Sequence, residues 1–300
     1  MKRPDPFDLQ HSYELARDGA TVSFFHAENE TPANPEYETS KHLFWAYAYV
    51  VPAERRTGAG MSWVRVAVEL MREHGCTVLG ASADRESGHA FLRSLGAEAR
   101  MTEIESRLKL ADVDWDLMRE WVADGARRSP ATRLEIVDGP MPDDALPEFA
   151  RQRTALLNTI PFEDLDHGEI VVTPERMRDF YARAALIGEV LHNVITWEPD
   201  GSISAMTDVT WAPHRRSLLE QQFTGVRPDA RGRGLGKWIK AAMLLHVREL
   251  YPDAQWVATG NAQSNAPMLK INRDLGFKPY RTGVEYQVTR DELESKLKNL

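Results

Sequence analysis

The sequence contains one cysteine in 300 residues, Cys76, which stands in the apolar segment Cys-Thr-Val-Leu. A single cysteine excludes an intramolecular disulfide, and we expect a buried, inert thiol. The chain also lacks a run of about 18 apolar residues and a charged-then-apolar leader, which predicts a cytoplasmic protein with no membrane partner. Because no spacing of histidine, cysteine and acidic residues is typical of a metal site, no metal is expected.

Two common phosphate-binding motifs are absent as well. The P-loop pattern Gly-x-x-x-x-Gly-Lys-Ser/Thr does not occur, and Gly232-x-Gly234-x-Gly236 lacks the Gly-x-Gly-x-x-Gly spacing of a Rossmann fold. The net charge of −8 argues against nucleic-acid binding and against an anionic membrane surface. With 42% apolar and 27% charged residues, the composition is that of a soluble globular protein.

The chain instead contains one motif twice. Pro-x-x-Arg-x-x-Gly-x-Gly follows an apolar β-type run and begins a helical pattern at Pro52–Gly60 and again at Pro228–Gly236. The copies lie more than half the chain apart, which indicates a duplicated domain rather than a short repeat. Gly125–Pro130 interrupts the helical pattern between them, so we expect domains at residues 1–130 and 131–300.

The pattern of elements predicts an α+β fold with a mixed sheet in each half. In the first half we expect a polar helix around Phe7–Arg17, followed by alternating strands and helices. In the second half, Thr173-Pro174-Glu175 has the composition of a helix start, with threonine as the N-cap. A meander of strands follows, then a long helix at Gly234–Leu250 and a final strand at Tyr280–Val288.

Each repeated motif predicts an anion site. Glycine lets backbone N–H groups approach a phosphate, and the N-terminus of the following helix adds partial positive charge. A pyrophosphate suits the second copy, which stands in a basic cluster: Arg227, Arg231, Arg233, Lys237 and Lys240. An ordinary glycine-rich turn with solvated charges is the alternative.

The motif resembles that of the GNAT superfamily of acyl-CoA-dependent N-acetyltransferases. It is followed by Asn265 and by Leu275-Gly276-Phe277, and the first half carries Leu95-Gly96 in the same place. The resemblance spans nearly the whole chain as a tandem pair. Together with Thr259–Met268, the tandem arrangement is similar to the mycothiol-synthase-like branch.

The resemblance implies two tandem domains, each a splayed mixed sheet flanked by helices, with acetyl-CoA between the splayed strands. It implies that the pantetheine pairs with the strand before the loop and that the pyrophosphate lies on the loop. The residues implied to bind acetyl-CoA are Thr224, Val226, Arg231, Gly232, Arg233, Gly234, Leu235, Gly236, Lys237 and Asn265.

Family members often place a general base on the strand before the loop, eleven residues before the loop's first Arg or Gln. That position is Glu220 in this chain. A protonated amine must lose a proton before it attacks a thioester, so we expect Glu220 to remove it. The alternative is an exposed surface glutamate. The alternation of the strand places Gln222 on the same face as Glu220, with Leu219 and Gln221 on the other.

The first half departs from the pattern in two positions. Phe44 stands where the base would be, and Ala97 replaces the phenylalanine after Leu95-Gly96. We therefore expect a degenerate first domain, with a structural or CoA-binding role, and a catalytic second domain. Asn272 stands where many family members have a tyrosine that protonates the leaving thiolate, so the general acid is left open, with Tyr280 and Tyr286 as weaker candidates.

Acidic residues are expected around the acceptor. Asp164 and Asp166 lie in an acidic segment, and Asp208 and Gln222 lie on strands near Glu220. An acidic cleft suits a small cationic amine, although acidic loops are commonly plain solvated surface. We expect direct attack of that amine on acetyl-CoA, in a monomer or homodimer. The alternatives are a non-catalytic acyl-CoA-binding sensor and a protein-lysine acetyltransferase.

Overall fold

The computed structural model describes residues 5–298, which divide into two compact units. The first unit contains the chain up to Glu103, the segment Phe162–Glu169 and the chain from Thr282 onward. The second contains Ile104–Pro161 and Ile170–Arg281. Among the described residues, no helix has the length and hydrophobicity needed to cross a membrane.

The first unit contains a sheet in the order β1-β2-β3-β4-β11, with helices on one face. β1 and β2 form a hairpin, β2 pairs antiparallel with β3, and β4 pairs antiparallel with β11. Its elements are β1 (Asp8–Arg17), β2 (Ala20–Glu30), α1 (Tyr37–Ser40), β3 (Leu43–Val50), α2 (Ala59–His74), β4 (Val78–Ala83), α3 (Glu86–Ser94), the C-terminal part of β11 (Lys278–Thr289) and α9 (Arg290–Lys298).

The expected helix around Phe7–Arg17 was wrong, because this segment is strand β1. β1 pairs with β2 through a two-residue turn in which Asp18 and Gly19 both have positive φ, at 50° and 78°. Asp-Gly between two such segments is a hairpin signal, since both residues tolerate the left-handed region. Cross-strand contacts then stabilise β1, as where Tyr13 lies opposite Phe25.

The second unit contains a sheet in the order β5-β10-β9-β8-β7-β6. The meander expected from the sequence is present, since β6, β7, β8 and β9 pair antiparallel in succession. Its elements are the C-terminal part of β5 (Glu98–Lys109), α4 (Trp115–Arg128), β6 (Arg133–Asp138), α5 (Leu146–Leu157), α6 (Pro174–Leu186), β7 (Val190–Trp197), β8 (Ile203–Trp211), β9 (Leu218–Val226), α7 (Leu235–Leu250), β10 (Trp256–Ala262), α8 (Ala266–Leu275) and the N-terminal part of β11. Thr173 caps α6, because its side chain accepts the N–H of Arg176.

In both units, two parallel strands pair at one end only. β9 and β10 pair over Leu218–Gln221 and Trp256–Thr259. In the first unit, β3 and β4 pair over Leu43–Trp45 and Val78–Gly80. In both places the strands continue beyond the paired residues, so the expected splayed mixed sheet is confirmed.

Helix α7 is the centre of the second unit's core. Ten of its sixteen residues are buried, among them Trp238, Ile239 and Leu244. Burial of each large apolar side chain contributes about 1.5–3 kcal/mol. α4 packs closely on α7 at Gly125, where an added Cβ would lie 2.3 Å from the Trp238 ring. Gly125, which was expected to interrupt the helical pattern, therefore lies inside α4 and permits its close contact with α7.

The compact units do not follow the expected domain boundary near residue 130. That boundary describes the duplication of the sequence and stays a prediction. By contact, α4 belongs entirely to the second unit, and the C-terminal end of the chain belongs to the first. β5 and β11 each contribute residues to both units.

Candidate functional site

The repeated glycine motif of the second unit forms a tight turn at the start of α7. After β9, one 3₁₀ turn over Pro228–Ala230 leads to Gly232 and Gly234, whose φ angles are 80° and 84°. Gly234 is the N-cap of α7. Side chains rarely adopt this left-handed conformation, so glycine is favoured there. The N–H groups of the first turn are left available for an anion.

A cavity of about 910 Å³ lies at this turn. It is lined by the loop, the end of β9, the start of α8 and one side of α4. Its lining includes nine of the ten residues expected to bind acetyl-CoA: Thr224, Val226, Arg231, Gly232, Gly234, Leu235, Gly236, Lys237 and Asn265. The structure therefore gathers nearly all the residues expected to bind acetyl-CoA around one cavity.

Arg233, the tenth residue, points elsewhere. Its guanidinium forms an ion pair with Glu198 at 2.8 Å and contacts the hydroxyls of Ser129 and Thr132 at 3.3 and 2.5 Å. These contacts connect the loop to the chain between α4 and β6 and to the end of β7. In this arrangement Arg233 supports the loop from outside the cavity.

Helix α4 adds a cation to the site that the sequence analysis missed. Arg128 lines the cavity, and its Nη2 donates to the carbonyl oxygen of Gly232 at 3.0 Å. Trp121, about two turns earlier on the same side of α4, lies under Lys237, with 4.3 Å from Nζ to the ring centroid. The only sequence signal was the pair Arg127-Arg128 at a helix C-terminus, where basic residues are common in any protein.

The far side of the cavity is formed by the start of α8. Asn265 is its N-cap and accepts the N–H of Met268 with its side chain. Asp274, in the last turn of α8, binds Lys237 at 3.0 Å. Hydrogen bonds from Lys237 and Lys270 lower the pKa of the Asp274 carboxyl. Lys237 is therefore positioned by contacts from both helices that border the cavity.

A buried polar cluster lies behind Thr224. Lys240 is 1% exposed, and its Nζ donates to Gln221 at 2.5 Å. The Gln221 amide in turn donates to Thr207 at 2.7 Å and to Thr224 at 3.3 Å. Burial lowers the pKa of the Lys240 ammonium to about 7. Lys240 was expected among the cations of the anion site, but it lies inside the core.

Glu220 lies on β9, four residues before Thr224 and opposite Thr210 of β8. Its carboxylate is partly exposed and lies 3.2 Å from Nη2 of Arg215. The same guanidinium binds Glu189 at 2.5 Å and the Thr210 hydroxyl at 2.7 Å. Arg215 thus fixes the orientation of Glu220 while solvent still reaches the carboxylate. Glu220 lies outside the set of residues that line the cavity.

A β-bulge in β9 alters the alternation expected for this strand. Val209 pairs with Gln221 and Asp208 with Phe223, so Gln222 is the extra residue. Phe223, the residue after the bulge, packs with Ile203 and Met206 in a buried apolar cluster. Gln222 is exposed, and its amide lies 3.4 Å from the Thr210 hydroxyl.

Asp208 is fully buried, and its expected role toward an acceptor stays a prediction. One carboxylate oxygen accepts the Phe223 N–H at 2.9 Å, and the other lies 2.7 Å from Arg153. A buried charge paired in this way holds the bulge in place. Asp208 therefore acts on β9 from within the protein.

The other two acidic candidates belong to the first unit. Asp166 binds His42 at 2.7 Å, and its N–H donates to Gln287. The Asp164 N–H donates to the Arg100 carbonyl oxygen at 3.1 Å. The structure thus assigns these residues to a different compact unit from Glu220, and their role toward an acceptor stays a prediction.

The first unit keeps the backbone of the loop without a glutamate at the position of Glu220. Gly58 is the N-cap of α2 with φ 92°, and Arg56 has φ 66° where the second copy has Gly232. Arg55 donates to the Val50 carbonyl oxygen at 3.3 Å, as Arg231 does to Val226 at 3.4 Å. Phe44, at the position of Glu220, is fully buried in the core.

The residues considered for the general acid lie in three different surroundings. Asn272 is buried, and its amide donates to Asn261 at 2.7 Å. Tyr280 is 59% exposed beneath Arg107. Tyr286 is buried in the first unit, 3.1 Å from His89. The general acid therefore stays unassigned.

Comparisons with known proteins agree with this architecture. The chain matches no protein-family model. It is 26% identical over 250 residues to a mycothiol acetyltransferase of Thermomonospora curvata, across 80% of this chain and 77% of that one. A mycothiol acetyltransferase of Saccharomonospora viridis is 38% identical over 71 residues, a match that spans 24% of this chain and 22% of the relative. Among solved structures, a tandem GNAT protein from the clavulanic acid biosynthesis pathway superposes with a TM-score of 0.73 at 23% identity, covering 96% of this chain and 85% of that one.

The structural similarity shows that the chain has the tandem GNAT fold, as its repeated motif indicated. Over four fifths of its length it is also distantly similar in sequence to mycothiol acetyltransferases. The expected resemblance is confirmed at both levels.

Proposed function

We propose that the protein is an acetyl-CoA-dependent N-acetyltransferase that acetylates the primary amine of a small molecule. The observation that carries the proposal is the cavity at the start of α7, which gathers the glycine turn with Arg231, Lys237 and Arg128. A pyrophosphate is the ligand that suits backbone N–H groups and three cations. The acyltransferase names of the relatives support the same class of reaction.

In this proposal the pantetheine lies along the end of β9, beside Thr224 and Val226. Those residues follow the point where β9 and β10 cease to pair, so their backbone groups are available to a ligand. The acetyl thioester then lies toward Glu220, which is on the same strand.

Glu220 acts as the general base. The amine nitrogen attacks the acetyl carbonyl carbon, the carbon–sulfur bond breaks, and CoA leaves as a thiolate. Glu220 takes the proton that the ammonium must lose for its nitrogen to attack. Arg215 keeps the carboxylate oriented at 3.2 Å, and the exposed side of the carboxylate leaves room for an acceptor.

The second candidate is a non-catalytic acyl-CoA-binding sensor. Buried Asn272, in place of an acid, favours it. Release of CoA thiol distinguishes the two, because a sensor binds acetyl-CoA without releasing thiol.

The test is release of CoA thiol from acetyl-CoA with a panel of small amines, comparing wild type with Glu220→Gln. We expect amine-dependent release by wild type and a loss of about 10²–10⁴-fold in the variant, the usual contribution of a general base. Acetyl-CoA affinity should stay within about twofold, since Glu220 does not line the cavity. The loss should shrink as pH rises and more of the amine is already deprotonated.

Glu249→Gln is the matched control, because Glu249 is an exposed glutamate at the end of α7. It should behave as wild type. Tight acetyl-CoA binding without release for any amine would favour the sensor, and equal rates for Glu220→Gln and wild type would remove Glu220 from the mechanism.

A further inference from the structure

Three potential metal ligands meet in the second unit, at the opposite end of α7 from the glycine turn. Asp138 is the last residue of β6, His192 lies near the start of β7, and His246 is in the last turns of α7. One ligand atom from each lies within 4.8 Å of the other two. All three residues are outside the set that lines the cavity.

Both imidazoles contact the same carboxylate oxygen. Nδ1 of His192 is 2.6 Å from Oδ1 of Asp138, and Nε2 of His246 is 2.7 Å from the same oxygen. In this arrangement each imidazole places a nitrogen toward the shared oxygen. A zinc ion bound to two nitrogens at about 2.0–2.1 Å and one carboxylate oxygen would occupy the space between them. Ligand atoms around a tetrahedral zinc ion are about 3.3 Å apart, so the carboxylate must withdraw from both nitrogens. Its side chain is 47% exposed, which leaves room for that movement.

The surroundings resemble those of a metal-binding histidine. His192 is almost fully buried, and its second ring nitrogen, Nε2, lies 2.7 Å from the Tyr251 hydroxyl. Ligating histidines usually direct their other nitrogen to such a polar partner, which fixes the ring orientation. Tyr251 is held in turn by stacking on Trp211, with 4.5 Å between the ring centroids.

The site is also open on one side. His246 and Asp138 both keep solvent exposure, at 19% and 47% of their side chains, whereas His192 keeps 2%. An ion held by these three ligands therefore has access to water at a fourth position. Two histidine nitrogens and a carboxylate oxygen form a donor set suited to divalent zinc rather than to calcium or magnesium.

We propose that Asp138, His192 and His246 form a zinc-binding site that connects β6 and β7 to the C-terminal end of α7. The ion would replace the imidazole protons shared with Asp138. The ion would join the outer strands of the second unit's sheet to the core helix, with water completing its coordination on the exposed side.

The test uses untagged full-length protein that has been treated with a chelator and dialysed. Co²⁺ is titrated first, since its visible absorption reports nitrogen and oxygen ligation, and Zn²⁺ is then used to displace it. We expect one saturable site per chain and a rise in thermal midpoint with Zn²⁺, because a ligand that binds only the folded state stabilises it. Asp138→Asn and His246→Gln should each weaken Zn²⁺ binding by about tenfold or more and abolish the rise.

The variants are chosen at the more exposed ligands, because replacing buried His192 risks unfolding. Tyr251→Phe keeps the ring stack and should weaken binding with unchanged stoichiometry, as expected of an outer partner. His214→Gln is the matched control, an exposed histidine on the 3₁₀ turn Pro213–Arg215 of the same unit. No saturable binding at micromolar Zn²⁺, or binding that Asp138→Asn and His246→Gln leave intact, would overturn the proposal.

Discussion

At the residue scale, Lys240 is the most unusual side chain of the second unit. It is 1% exposed, hydrogen-bonded to Gln221, and 5.3 Å from the centroid of the Phe277 ring. Burial disfavours the charged form, which lowers the pKa of Lys240 from 10.5 to about 7. A lysine that carries its proton when unfolded but releases it in the folded protein makes stability depend on pH.

We predict that Lys240→Met removes a pH dependence from the free energy of unfolding. Between pH 7 and 9 the unfolded chain keeps the Lys240 proton and the folded protein loses it, so stability rises with pH by at most about 1.4 kcal/mol per unit. Below pH 7 both states hold the proton and this contribution is flat. Urea unfolding at pH 7, 8 and 9 should show a smaller slope for Lys240→Met than for wild type.

Lys270→Met is the control for this measurement, because Lys270 is an exposed lysine on α8. Its slope should equal that of wild type. Equal slopes for Lys240→Met and wild type would mean that Lys240 is charged in the folded protein.

Cys76 provides a second residue-scale prediction. The thiol is 1% exposed, and burial raises its pKa to about 11. Because the thiolate is the reacting species, we expect a disulfide reagent at pH 8 to label the native protein far more slowly than the urea-unfolded protein. Rapid stoichiometric labelling of the native protein would contradict the buried environment, and Cys76→Ser should give no signal in either state.

At the scale of elements, the two glycine turns have the same backbone and different surroundings. Each enters a sixteen-residue helix through a glycine in the left-handed region, Gly58 before α2 and Gly234 before α7. At Gly234 an added Cβ would also approach the Arg128 guanidinium at 3.0 Å, whereas nothing lies within 4 Å at Gly58. The strand before the second turn carries Glu220, whereas the strand before the first turn carries buried Phe44 at the matching position.

We therefore predict opposite consequences for the same substitution. Gly234→Glu should abolish acetyl-CoA binding to the second unit, because it adds backbone strain, a clash and a negative charge where a pyrophosphate is proposed to bind. Gly58→Glu should leave turnover within about twofold. The measurement is acetyl-CoA titration and thiol release for both variants, with circular dichroism to verify folding. Loss of activity in Gly58→Glu alone would place catalysis in the first half.

At the scale of the whole molecule, the C-terminal end of the chain completes the first unit. Tyr286, Val288 and Leu293 are buried in the same apolar cluster as Phe44 and Met71. β11 supplies the pairing partner of β4 over Val284–Thr289. The first unit thus depends on residues from Thr282 onward, which sequence order alone would assign to the second half.

We predict that truncation after Arg281 unfolds the first unit. The loss of three buried side chains alone removes about 5–9 kcal/mol, comparable with the whole stability of a typical domain. Limited proteolysis should cleave within residues 5–103 of the truncated protein at low protease concentration. Leu293→Ala should show an intermediate effect, since it leaves the strand pairing intact, and a truncated protein as resistant as wild type would refute the prediction.

Local patterns in the sequence determined the features that depend on neighbouring residues. The glycine turns, the start of α7, the Thr173 cap and the tandem arrangement all follow from the conformational preferences of a few adjacent residues. Asp18-Gly19 likewise indicates a hairpin turn after β1, but the polar composition of the segment before it favoured a helix. Of the ten residues proposed to contact acetyl-CoA, six lie within one such local motif, at Arg231–Gly236.

Only the tertiary structure decided which distant residues meet. Arg128 reaches Gly232 from 104 residues away, and His246 reaches Asp138 from 108. The structure also placed the side chains of Asp208 and Lys240 in the core. The strand and helix patterns of the sequence did not decide whether these side chains point inward or outward. Such encounters depend on how whole elements pack, because packing sums many weak contacts across the chain, and no short window of sequence contains that sum.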